Sequence, residues 1–304
     1  MKLRNKLLSL VFVVILIMTM IVGCSGKTTT MTDRAGNQFN LPKKVNTIIS
    51  TAPANTEILS KLGLADKLVA IDKYSANVEG INADLPKIDF KNPDAETLAL
   101  LKPDIIIASG HNKTGNEDPF AAVKEAGIEV VYIPSSSSIE GIYEDINFIA
   151  KVTGTEKKGT EIVANMKKEI NSIKEIGDTI TNKKSVYFEI GSIPSLYSFG
   201  NSTFLNEMIE VIGAKNILDS EPSWISPSEE TIIKANPDVI LTNEPTENNA
   251  EVIKIRDGWR DITAVKENNI FVIDRDSSSR PSQNILKALK EMAKAVYPEH
   301  YTNI

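Results

Sequence analysis

An apolar stripe near the middle of the chain does more than any other feature to limit the folds open to it. From Glu156 onward, Ile162, Met166, Ile170, Ile173 and Ile176 follow one another at steps of four, four, three and three, with lysine and glutamate filling most positions between. That spacing predicts one long amphipathic helix. Taking Glu156 to Ile176 as helical gives ~30 Å, about the diameter of a small domain. Strand and helix signals of similar order lie on both sides of it. The helix is therefore either a stiff strut between two α/β lobes or a surface helix of one domain, and periodicity alone does not separate the two. A chain of 304 residues is long enough for two cores.

The first residues stand outside that fold. Lys2, Arg4 and Lys6 precede an apolar run from Leu7 to Val22 broken only by Ser9 and Thr19, the layout of a secretory signal. It ends at Gly23-Cys24, and Cys24 is the only cysteine. A lone thiol in an exported protein forms no internal disulfide, and its place after a small residue resembles a bacterial lipobox, with Cys24 as the lipidated first residue. A transmembrane anchor is the alternative, but the run is short for one, and either reading tethers the protein outside the membrane. Loss of residues 1–23 removes three positive charges and takes the formal charge from −6 to −9. An acidic surface argues against a nucleic-acid partner.

Residues 24–44 read as a polar tether, 45–154 as a first α/β lobe, 155–182 as the inter-lobe helix segment and 183–304 as a second lobe. In the first lobe, strands are expected at Thr47–Ser50, Lys67–Ile71, Asp104–Ser109 and Glu129–Ile133. Helices alternate with them at Thr56–Leu62, stopped by Gly63, and at Phe120–Ala126 and Ser138–Val152. The order begins again with strands at Val186–Phe188, Val239–Thr242 and Ile270–Ile273, and helices at Thr203–Ile212, stopped by Gly213, and Gln283–Val296. Such alternation implies largely parallel sheets covered on both faces.

One pair of segments makes the symmetry testable. Asn92-Pro93-Asp94-Ala95-Glu96-Thr97 precedes Lys102-Pro103-Asp104-Ile105, and Ser226-Pro227-Ser228-Glu229-Glu230-Thr231 precedes Asn236-Pro237-Asp238-Val239 at the same spacing. Each copy reads as a capping residue, Asn92 or Ser226, with proline at the first helical position. Glu96 and Glu230 then fall fourth in their helices. Glu229 is placed to reach back to the cap amide, and so has a structural task. Glu96 and Glu230 either favour the helix dipole, worth ~0.3–1 kcal/mol, or form matched acidic pegs for a symmetric basic partner.

Taken together, Ser50 to Leu59 with Leu62-Gly63-Leu64, the Glu96 to Ile107 block, Phe199-Gly200-Asn201 to Ile217 and the Glu230 to Leu241 block resemble the substrate-binding lipoproteins of ABC importers for ferric siderophores, haem and cobalamin. The resemblance covers nearly all of the mature chain. It implies two Rossmann-like lobes joined by one long rigid α-helix, with the ligand in the cleft between them. It also implies docking of one glutamate per lobe, here Glu96 and Glu230, onto arginines of a permease dimer driven by ATPase subunits. The receptor is expected to be a monomer, held at the outer face of the membrane by its lipid anchor alone.

The cobalamin-binding branch suggests an aromatic cleft of Tyr74, Phe90 and Trp224, although Phe90 stands where that branch has tryptophan. Loops beyond strand ends gather ligand sites, and aromatic faces suit a broad macrocycle; burial under their own loops is the alternative. His111, Asn112 and Lys113 follow one strand, and Arg275 and Arg280 follow another. Those charges suit an anionic ferric chelate or a haem propionate, and His111 is a candidate for haem iron. The aromatic positions favour a corrinoid slightly over a ferric siderophore, with haem third. In Gly200 to Thr203 backbone amides face a ligand or simply open a helix. The competing class, an exported α/β enzyme, lacks support. No G-x-S-x-G, P-loop, G-x-G-x-x-G or H-E-x-x-H motif occurs, and the serine runs 135–138 and 277–279 read as loops. No cofactor or protein-held metal is expected, the chelate being cargo.

Overall fold

The structure, a computed structural model, describes residues 29–110, 118–244 and 249–304. The leader, Cys24 and the His111 to Lys113 segment lie outside the described residues. After a hairpin of β1 (Thr29–Thr32) and β2 (Gln38–Leu41), the first lobe runs β3 (Ile48–Ser50), α1 (Pro53–Lys61), β4 (Leu68–Asp72), β5 (Lys87–Ile88), α2 (Ala95–Leu100), β6 (Ile105–Ser109), α3 (Ala121–Glu125), β7 (Val130–Ile133) and α4 (Ile139–Thr153). Then comes the long helix α5 (Glu156–Gly177). The second lobe follows as β8 (Ser185–Glu189), β9 (Ser198–Phe199), α6 (Phe204–Val211), β10 (Lys215–Asn216), β11 (Trp224–Ile225), α7 (Glu229–Ala235), β12 (Val239–Thr242), α8 (Asn249–Lys254), α9 (Thr263–Lys266), β13 (Ile270–Val272), α10 (Arg275–Ser279) and α11 (Ile285–Val296).

The first sheet has the order β5-β4-β3-β6-β7 and the second β10-β8-β12-β13, and all their pairings are parallel. Apart from the extra edge strand β5, the first strand of each sheet, β3 or β8, lies between the next one, β4 or β10, and the one that follows the Pro-Asp pair, β6 or β12, so the two sheets share one winding. Their central strands are mostly apolar because helices cover both faces; β6, β7 and β12 are buried along their whole length.

The repeated Pro-Asp pair explains how each lobe fixes its register. The Asp104 carboxylate accepts the amides of Asn46, at 2.7 Å, and Thr47, at 3.0 Å, while its own amide donates to the Thr47 carbonyl at 2.9 Å. In the second lobe the Asp238 carboxylate accepts the Ser185 amide at 2.8 Å and hydroxyl at 2.7 Å, and its amide donates to the Ser185 carbonyl at 2.9 Å. Each aspartate thus clamps the start of the first strand, β3 or β8, to the start of its neighbour, β6 or β12. Lys102 and Asn236, two residues before each aspartate, both turn the chain in the left-handed region, at φ 47° and 49°.

Helix α5 is a strut. Its buried face, Ile162, Val163, Met166, Ile170 and Ile173, belongs to one apolar core that runs from the first lobe into the second. The far face of each sheet has a separate cluster. Two glycines let α5 sit close to its neighbours. A Cβ on Gly159 would meet that of Ala150 on α4 at 2.5 Å. One on Gly177 would meet the Val211 carbonyl and, at 2.8 Å, the Gly213 amide beyond α6. Gly213 ends α6 at φ 80°, as its sequence position predicts.

Three local expectations are corrected. α2 and α7 each begin two residues later than the proline positions predict, because Asp94 and Ser228 take the caps: Asp94 accepts the Glu96 amide and the Thr97 hydroxyl, and Ser228 accepts the Thr231 amide. Glu96 and Glu230 keep their equivalence as the second residue of each helix. Glu229 opens α7 instead of closing a capping box, and accepts the Trp259 indole N–H at 2.8 Å. Ser277 to Ser279 are helical, since Asp274 caps α10 and the Ser277 and Ser278 hydroxyls donate back to Asp274.

Candidate functional site

The carboxyl ends of β3, β4, β6 and β7 face the segment that follows β13 of the second lobe, and carboxyl ends of parallel strands are where such sheets collect ligands. A cavity of about 520 Å³ lies there, within the range of small-molecule sites. Its floor is built from the last residue of β6, Ser109, and the segments that follow β3, β4 and β7, including Asn55, Tyr74 and Ser135. Its other wall is the α10 segment of the second lobe, with Arg275, Asp276 and Arg280.

Tyr74 sits on a short turn fixed by Asp72, whose carboxylate accepts the Tyr74 amide at 2.8 Å and the Ser75 hydroxyl. The ring is 55% exposed, and the Lys73 ammonium lies 4.8 Å from its centroid. Arg275 is exposed and, among the described residues, makes no ion pair or side-chain hydrogen bond. Arg280 is only 12% exposed and bridges the lobes. It donates to Glu57 at 2.9 Å, pairs with Asp276 at 2.8 Å and reaches the Tyr74 carbonyl at 3.2 Å. Its charge is thus already balanced, so its first effect on a ligand is to set the position of Tyr74. Glu57 is buried and also accepts the Ser282 hydroxyl at 2.5 Å. Burial pushes its carboxyl above the usual range, and the Ser282 and Arg280 donors only partly offset this.

The other residues singled out from the sequence lie elsewhere. Phe90, half-buried between β5 and α2, does not line this cavity. Trp224 does not line it either, but is 41% exposed and stacks on Tyr197, with ring centroids 6.2 Å apart and planes 11° from parallel. Tyr197 went unread in the sequence. Its only signal is an aromatic at the end of the turn-rich run Gly191-Ser192-Ile193-Pro194-Ser195-Leu196, directly after β8. The hairpin that carries it is held by a buried ion pair: Arg256 donates to both Glu189 oxygens, at 2.6 and 2.7 Å, and to the Ser192 hydroxyl at 2.8 Å. His111 lies outside the described residues. The Gly200 and Asn201 amides donate to the Ser223 and Glu221 carbonyls, at 2.8 and 2.7 Å, and Thr203 caps α6, so that segment faces its own loop and not a ligand.

Glu96 and Glu230 are exposed near the starts of α2 and α7, and neither side chain has an ion pair or hydrogen bond among the described residues. These helices lead into β6 and β12, the same position in each sheet. The two acids are therefore presented by pseudo-equivalent frames.

The family described as periplasmic binding protein matches residues 48–277. The uncharacterised ABC transporter substrate-binding lipoprotein YvrC of Bacillus subtilis (strain 168) is 32% identical over 277 residues, 90% of this chain and 86% of that protein. A vitamin B12-binding protein of Vibrio campbellii is 25% identical over 264 residues, 84% of this chain and 90% of that one. Among solved structures, a possible iron-binding (periplasmic solute-binding) protein from Staphylococcus epidermidis is 34% identical with a TM-score of 0.74, over 84% of this chain and 100% of that one.

Proposed function

The chain belongs to the periplasmic binding protein family, and from that premise we propose that it captures a metal chelate between its lobes and delivers it to the permease of an ABC importer. It is a substrate-binding component for iron-, haem- or B12-type ligands and not an enzyme. The observation that carries the finer reading is the inter-lobe cavity with an exposed tyrosine and two cations, Lys73 and Arg275, without acidic partners among the described residues. Cations and a phenol ring suit an anionic ferric chelate, which puts a ferric siderophore first. A corrinoid is the second reading, favoured by the exposed Tyr197–Trp224 pair, whose aromatic face suits a macrocycle. Haem is third.

Delivery follows from the acids. Glu96 and Glu230 act as the pegs that meet basic residues of a two-subunit permease, and ATP hydrolysis on the inner side drives release. Cys24 carries the lipid that keeps the receptor, a monomer, at the outer face of the membrane. The test is tryptophan fluorescence of residues 25–304 titrated with ferric siderophores, cyanocobalamin and haemin, since Trp224 is exposed. Saturable sub-micromolar quenching by one class, retained against the others as competitors, names the cargo. No response to any class removes the chelate reading and leaves the family and fold.

A further inference from the structure

We propose that the N-terminus of α1 is an anion subsite of the cleft, which takes a carboxylate, catecholate or phosphate oxygen of the cargo on the amides of Ala54 and Asn55 and on the Asn55 side chain. The proposal rests on the cleft being the cargo site. Helix starts leave amides without intrahelical acceptors and carry partial positive charge. In α1 no side chain caps them: Ala52 stands at the cap position in an extended conformation, Pro53 has no N–H, and the first turn contains no acid. Thr56 makes the first bond, to the Ala52 carbonyl at 3.0 Å. Among the described residues the Ala54 and Asn55 amides have no protein acceptor.

A second observation is independent of the helix. Asn55 is 3% exposed, lines the same cavity, and its Nδ2 has no acceptor. A buried donor without a partner is costly, and the soft χ2 of asparagine lets the amide turn toward an arriving oxygen. The charges around the cavity agree. Its two lining acids are already engaged, Asp276 with Arg280 at 2.8 Å and Asp145 with Arg34 at 2.8 Å. Lys73 and Arg275 have no acid in ion-pair contact among the described residues. An anionic group at the helix start would thus meet two amides and a side-chain donor, in a cavity that is also lined by two cations and has no free carboxylate.

Calorimetric titration of the chain without residues 1–24 tests this with ferric citrate, a ferric tris-catecholate, inorganic phosphate and cyanocobalamin, which is neutral overall. The informative variant is Ala52→Asp, because aspartate at this backbone geometry caps α1 from within and places its own charge where the ligand's would sit. Its melting temperature should hold or rise while affinity for the ferric anions falls at least tenfold. Asn55→Leu should weaken the same ligands several-fold. Competition by phosphate in the wild type but not in Ala52→Asp also supports the subsite and marks it as selective for the anion rather than the whole chelate. Ferric anions bound equally by the wild type and Ala52→Asp would overturn it. Binding of cyanocobalamin alone, unchanged by Ala52→Asp, overturns the subsite and keeps the cleft as the cargo site. Binding of no probe by the wild type overturns both.

Discussion

Asp104 and Asp238 perform the same task 134 positions apart, as the numbering shows, and each supports its lobe through bonds to a charged acceptor. Replacing either by asparagine should cost about 1 kcal/mol, a value discounted for partial exposure, and by similar amounts in the two lobes, as urea unfolding would show. Asp104 also has a pH signature. Burial raises its carboxyl, but the Asn46 and Thr47 donors outweigh this and hold it below the usual aspartate range. Its contribution is therefore complete above the unfolded pKa and lost as pH falls through the lower folded value, so wild type and Asp104→Asn should converge in acid. The Pro-Asp repeat was legible in the sequence, but its purpose was not, because the clamped partners lie 57 and 53 residues away. Caps failed for a different reason. Asn92 and Asp94, or Ser226 and Ser228, are both competent cap types, and only the path of the chain after each proline chooses between them.

Among the elements, α5 was legible because its stripe depends on local spacing alone, and the structure returns it as Glu156–Gly177, 22 residues. What spacing does not reveal is how close its ends approach other helices. Gly177→Ala should cost about 2–3 kcal/mol, since its Cβ has no room against Val211 and Gly213, whereas an alanine at exposed Lys168 should change little; thermal melts would separate them. The Glu57–Arg280 tie between α1 and the segment after α10 joins residues 223 apart, so nothing in local pattern pairs them. Arg280→Met leaves the buried Glu57 without its cation and should cost about 3 kcal/mol, more than Glu57→Gln, which leaves Arg280 its Asp276 partner. A reversed order in denaturant midpoints would contradict this account of the tie. The candidate site was read in part for the same reason: Tyr74 and Arg275 follow strand ends, while Asn55 and Tyr197 become visible only once the loops are placed.

At the scale of the whole molecule, a continuous core through α5 and the Arg280 tie both oppose wide opening. Solution scattering should therefore show a radius of gyration that changes by less than about 1 Å on ligand binding; a larger compaction would show that the strut bends. Charge reversal of Glu96 and Glu230 together should abolish uptake while cargo affinity stays within about twofold, since exposed charges act mainly on docking; weakened binding would contradict the docking role. The stiffness of α5 has a consequence for traffic at the membrane. If Glu96 and Glu230 are the docking acids, as proposed above, a receptor that barely changes shape offers them at the same separation whether it is full or vacant, and vacant copies should occupy the permease as readily as full ones. Import should then slow, not saturate, when receptor is supplied in excess of cargo, and discrimination between the two must come from the permease sensing the cargo itself.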